Sequence, residues 1–134
     1  MARRSGGSKP CSRSEALARL RQAERFLEVA RLVVDEEEYP VAAALAVLSG
    51  IAGADAACCA RLGLRHRGQS HQGAVTLVKT VEPGGPEMAK LLSRHLDRKD
   101  DVHYAPRVVS AADAKKMVEW AAKLVDLAAI AIEA

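Results

Sequence analysis

The sequence predicts an all-α fold, a compact up-and-down bundle of four to five helices. Three observations carry this. Alanine, the strongest helix former, is the commonest residue. Aromatic residues make up only 3% of the chain, against an all-β sandwich or barrel. Apolar residues recur at helical spacing in several segments separated by Pro and Gly breaks. The 134 residues suffice for one hydrophobic core, and 28% charged against 49% hydrophobic is a globular balance.

Residues 1–11 are rich in Gly, Ser, Arg and Lys without periodicity and read as a disordered basic tail. Residues 12–134 read as a single helical domain. Ser12 followed by Glu15 has capping-box spacing. Leu20, Ala23, Leu27, Ala30 and Val34 then mark the apolar face of a first helix, which ends near the acidic run Asp35 to Glu38. Pro40 suits the first turn of a second helix over about 41–62, closed by Gly63. This helix is apolar nearly all round and should be central. Its small residues Ala42, Ala46, Gly50, Ala54 and Cys58 recur every four positions, so another helix can approach closely. Gly50 and Gly53 read as packing positions rather than a phosphate loop, since no strand or glycine fingerprint accompanies them.

Residues 64–70 read as a basic loop, followed by a short helix over about 70–81. Pro83, Gly84 and Gly85 break the chain. Pro86 opens a fourth helix with Met88, Leu91, Leu92 and Leu96 as core residues, running to about residue 101 or 102. Ser110 and Asp113 form a second cap signal. The last helix puts Met117, Trp120, Ala121, Leu124, Leu127, Ala128 and Ala131 on one face.

The net charge is +3, yet Arg3, Arg4, Lys9 and Arg13 all precede the first acid, so the body is near neutral. One local exception is the acid-free stretch from Ala60 to Val81, which holds Arg61, Arg65, Arg67, Lys79, His66 and His71. The three cysteines, with Cys58 and Cys59 adjacent, are no disulfide framework and suggest a reduced, cytoplasmic protein. No secretory leader is evident, and the apolar run from Val41 to Ala54 is too short for a membrane span. No metal-ligand spacing is present and no cofactor is expected. Asp55, inside the most apolar helix, needs a partner: it is either a structural ion pair or hydrogen-bond acceptor, or a site carboxylate facing a cleft.

The densest polar stretch runs from His95 to Tyr104, at a helix end. Arg98 can hold a phosphate through two hydrogen bonds, and His103 can move a proton near neutral pH. Together they suffice to cleave RNA without a metal, the base deprotonating the 2′-OH and the cation stabilising the developing charge. Residues five apart on a regular helix stand about 140 degrees apart. The two therefore converge only if the helix loosens or a symmetric second copy completes the cleft.

Arg98, four intervening residues and His103 resemble the R-x4–6-H motif of HEPN-domain proteins. The stretch from Ala46 to Gly68, including Gly50, Asp55, Cys58, Cys59, Arg61 and Gly63, and the turn at Arg67-Gly68-Gln69, is similar to small actinobacterial HEPN-like proteins. The resemblance spans roughly Ser14 to Ala131. It implies a HEPN-like helical bundle, RNA as substrate, a homodimer, and metal-independent endoribonuclease activity of toxin–antitoxin or defence type. It also implies a nucleotidyltransferase-type antitoxin as candidate partner. His103 would serve as general base or acid and Arg98 as phosphate clamp. Lys99 follows the Arg where family ribonucleases carry Asn, Asp or His, so Asp100 or Asp101 would orient the His. Tyr104 would bond a phosphate or ribose, and Arg61, Arg65, Arg67 and Lys99 would hold flanking RNA. The alternative is a catalytically inert helical interaction module, since the body is near neutral and lacks aromatic platforms for bases.

Overall fold

The computed structural model describes residues 8–68, 70–104 and 109–134, without the side chains of residues 100, 101, 103 and 104. Among these, five helices and one two-stranded ribbon form an all-α bundle. In chain order they are β1 (Ser8–Pro10), α1 (Arg13–Asp35), α2 (Tyr39–Leu62), β2 (Leu64–His66), α3 (His71–Lys79), α4 (Gly85–Tyr104) and α5 (Ala111–Glu133).

Helix starts follow local chemistry. The Ser12 hydroxyl accepts from the Glu15 amide, and the Glu15 carboxylate accepts from the Ser12 amide. Ser110 and Asp113 repeat this arrangement at α5. Gly63 ends α2 in the left-handed conformation, with φ 69°.

The four long helices alternate in direction. Arg19 on α1 meets Asp55 on α2, and the Ser49 hydroxyl donates to the Ala23 carbonyl at 2.8 Å, so α1 and α2 run antiparallel. Arg94 and His95 on α4 meet Trp120 on α5 while Arg98 meets Asp113, which sets that pair antiparallel too. Helix α2 lies at the centre. By length and composition it could cross a membrane, but 67% of its most apolar window is buried in the bundle.

The small-residue stripe on α2 is a docking surface. A Cβ on Gly50 would stand 2.6 Å from His95 Cδ2, and one on Gly53 would stand 3.0 Å from Leu124 Cδ2. The space a side chain would fill on α2 is taken by side chains from α4 and α5. His95, which the sequence groups with the polar stretch, is instead a fully buried core residue.

The predicted tail extends too far. Ser8, Lys9 and Pro10 pair antiparallel with His66, Arg65 and Leu64, so the predicted loop over 64–70 begins as a strand. The Cys11 amide donates to the Gly63 carbonyl at 3.0 Å, and Cys11 is disulfide-bonded to Cys59. The expectation of three reduced thiols is thereby corrected. The chain folds back over the end of α2 and brings two cysteines 48 residues apart to a Cα separation of 5.5 Å. Only Cys58 stays free, and it is buried. Alkylation in denaturant without reductant should label one cysteine per chain, and all three after reduction. Three labels before reduction would show that the bond is absent.

Candidate functional site

A cavity of about 160 Å³ opens between α2, the segment joining β2 to α3, and α4. Its apolar wall comes from Ile51 and Ala54 on α2, Ala74 on α3, and Leu92 and Leu96 on α4. Its polar lining is Asp55, Cys58, His66, Arg67, Ser70, His71 and Lys99.

Each polar group is placed by an identifiable device. Asp55 is half-buried within the buried stretch of α2. Arg19 donates to its Oδ2 from Nη2 at 2.9 Å and from Nε at 3.3 Å. Burial pushes the Asp55 carboxyl above the usual carboxylate range, and the Arg19 hydrogen bonds oppose this. The two alternatives left open for Asp55 coexist: it forms an ion pair and it faces a cavity. Burial, reinforced by Asp55, pushes the Cys58 thiol up to about 12, so it stays protonated and is a poor nucleophile near neutral pH.

His66 reaches the cavity from β2, a strand that exists because β1 pairs with it. Its ring lies so close to α3 that a Cβ on Gly73 would stand 2.8 Å from Cε1. His66 Nε2 and Arg65 Nε are buried without a hydrogen-bond partner among the described residues. Such groups cost about 1–3 kcal/mol each when left dry. The Ser70 hydroxyl caps α3 by accepting from the Gly73 amide at 3.0 Å, which seats His71 at the helix start.

The predicted site residues divide accordingly. Arg67 and Lys99 line one cavity although 32 positions separate them in sequence. Arg65 lines a neighbouring cleft with Arg19 and Asp55. Arg61 is elsewhere and structural: its guanidinium donates to the carbonyls of Glu82 at 2.9 Å and Ala134 at 3.0 Å, tying three segments together. Arg98 contacts Asp113 at 3.5 Å, across to the start of α5. The Ser110 amide and then Arg98 hold the Asp113 carboxyl below the usual range. The side chains of Asp100, Asp101, His103 and Tyr104 lie outside the described residues, while the backbone of α4 is helical through Tyr104.

Sequence reasoning did not join His66 and His71 to Lys99. The signal available was the acid-free stretch from Ala60 to Val81, but nothing local says which helix that stretch covers. Among the described residues no group of three or more His, Cys, Asp or Glu is placed to hold a metal ion. Comparison with protein-family models finds no matching family, and comparison with curated proteins finds no match.

Proposed function

We propose that the protein binds RNA at the cavity between the β2–α3 segment and α4, and that two copies form a HEPN-type, metal-independent endoribonuclease. The observation that supports this is the convergence of Arg67 and Lys99, with His66 and His71, on one cavity. Two cations and two imidazoles around an opening suit a phosphodiester strand. In this reading His103 takes the 2′-OH proton, that oxygen attacks the adjacent phosphorus to give a 2′,3′-cyclic phosphate, and the 5′-oxygen leaves as a hydroxyl, with the imidazolium returning the proton. Arg98 stabilises the charge on the phosphoryl oxygens, Asp100 or Asp101 orients the imidazole, and Tyr104 bonds the phosphate or ribose. Because α4 is helical through Tyr104, the reading pairs Arg98 of one copy with His103 supplied by the second.

The test is EDTA-treated protein with a labelled mixed-sequence RNA and its all-DNA counterpart, beside His103→Ala and Arg98→Ala. Cleavage of RNA alone, lost in both variants, is the expected result. A His103→Ala protein as fast as wild type overturns the catalytic assignment. Binding should weaken steeply with salt, and Lys99→Ala and Arg67→Ala should each flatten the log–log salt slope by about 0.7.

One observation favours the second reading, a non-enzymatic helical interaction module. Arg98, the proposed phosphate clamp, is engaged by Asp113, which also caps α5. Intact RNA together with no salt-dependent RNA binding would select that reading.

A further inference from the structure

We propose that the Cys11–Cys59 disulfide is a site of reversible thiol–disulfide exchange with a dithiol reductant, and that its state decides whether β1 stays on β2. The inference is independent of the RNA-binding reading. Among the described residues β1 packs chiefly on β2. The pairing covers three residues, and none of those in β1 belongs to the buried core. A two-stranded ribbon is at best marginal in water. Cys11 fastens this one to the bundle, through its bond to Cys59 on α2 and its amide hydrogen bond to the Gly63 carbonyl. Once the disulfide is cut, only weak backbone pairing opposes the entropy gained by the released segment.

Lifting β1 changes the surroundings of β2. Ser8 stands opposite His66 and Lys9 opposite Arg65. Ser8 and His66 also line one groove with Gly73. His66 Nε2 and Arg65 Nε, buried without a hydrogen-bond partner among the described residues, become open to water when β1 departs. Their hydration favours the open form, so the covalent bond holds the closed one. His66 lines the cavity, and Arg65 lines the neighbouring cleft together with Cys59. The redox state thus acts on a wall of each.

Cys11 is partly exposed and Cys59 is buried, so the reductant's thiolate attacks Cys11 Sγ. A mixed disulfide forms on Cys11, and Cys59 leaves as a thiolate that takes up a proton. The Ser12 carbonyl oxygen stands 3.1 Å from Cys59 Sγ and accepts from the new thiol. The reductant's second thiolate then attacks its own sulfur in the mixed disulfide and releases Cys11, which is protonated in turn. Two electrons and two protons pass from the dithiol, which ends as a disulfide. Cys58, buried in the core, takes no part.

The experiment treats the full chain with oxidised glutathione or with dithiothreitol and reads backbone hydrogen exchange, beside Cys11→Ala and Cys58→Ala. Reduction and Cys11→Ala should each speed exchange across residues 64–66 at least about tenfold, with the buried stretches of α2 and α5 unchanged. Oxidised Cys58→Ala should match oxidised wild type. Removing dithiothreitol and adding oxidised glutathione should restore the slow exchange and the Cys11–Cys59 link. Equal exchange in both redox states overturns the proposal. Faster exchange throughout the helices also overturns it, since the bond is then a staple for the whole fold. A bond that never forms, that resists dithiothreitol in the folded protein, or that re-forms through Cys58 overturns it as well. None of these readouts involves RNA, so the RNA reading keeps its own test.

Discussion

Leu124→Ala should destabilise the bundle by about 3 kcal/mol or more in chemical denaturation, among the largest effects of any single truncation. Leu124 is fully buried on α5, within the cluster that includes Met88, Leu92 and Ala128. Truncation removes its transfer free energy and leaves a cavity that rigid helices close only partly. The vacated space adjoins Gly53, whose absent Cβ would stand 3.0 Å from Leu124 Cδ2. Gly53→Ala alone gains about 1 kcal/mol of helix propensity, offset by crowding of similar size. In the Leu124→Ala background the crowding is gone and the propensity remains. The double variant should therefore be more stable than Leu124→Ala by about 1 kcal/mol. Strict additivity of the two substitutions would show that Gly53 does not face Leu124.

Acid should destabilise the protein through one buried imidazole. His95 is fully buried against Gly50 and edge-on to Trp120, with ring centroids 5.7 Å apart, and neither ring nitrogen has a hydrogen-bond partner among the described residues. Burial pulls its pKa from 6.5 to about 4. Above pH 6.5 the imidazole is neutral in both the folded and the unfolded chain, and protonation makes no difference to stability. Between these two values the unfolded chain takes up a proton that the folded chain refuses. Stability falls across that window by about 3 kcal/mol in all, and below it this contribution is constant. Glu15 and Asp113, whose carboxyls are held below their usual range by capping hydrogen bonds, act at lower pH. The difference between wild type and His95→Leu therefore isolates the histidine. His95→Leu should cost less than about 1.5 kcal/mol at neutral pH and lose most of the slope in that window. An unchanged slope would place His95 in contact with water.

The chain's local chemistry sufficed for the helices. Capping boxes at Ser12 and Ser110, the terminator Gly63, and apolar residues at helical spacing act within a few positions, so their consequences are readable along the sequence. All four core residues named for α4 are buried, and so are most of those on α5. His95 is polar by composition but core by spacing: it stands four positions from Leu91 and three from Leu92 on the same helical face, and burial follows the spacing.

The candidate site is only half legible for a related reason. The composition of the stretch from Arg61 to His71 marks it as basic, and local capping explains how His71 is seated. What separates Arg67 from Arg61 in role is not local. Arg61 meets the carbonyls of Glu82 and Ala134, while Arg67 meets a cavity shared with Lys99. Both outcomes depend on where distant segments dock, and docking is set by apolar burial and small-residue fit across the whole bundle.

The sequence by itself determined the helices, their ends and their apolar faces, because propensity, capping and periodicity are local. Tertiary structure alone decided that Ser8–Pro10 is a strand, that Cys11 meets Cys59, that Arg19 answers Asp55, and that His66 lies beside a cavity lined by Lys99. The physical reason is shared by all four. Each joins residues far apart in the chain, whose meeting becomes favourable only after the bundle has fixed its helices and met the entropy cost of bringing them together.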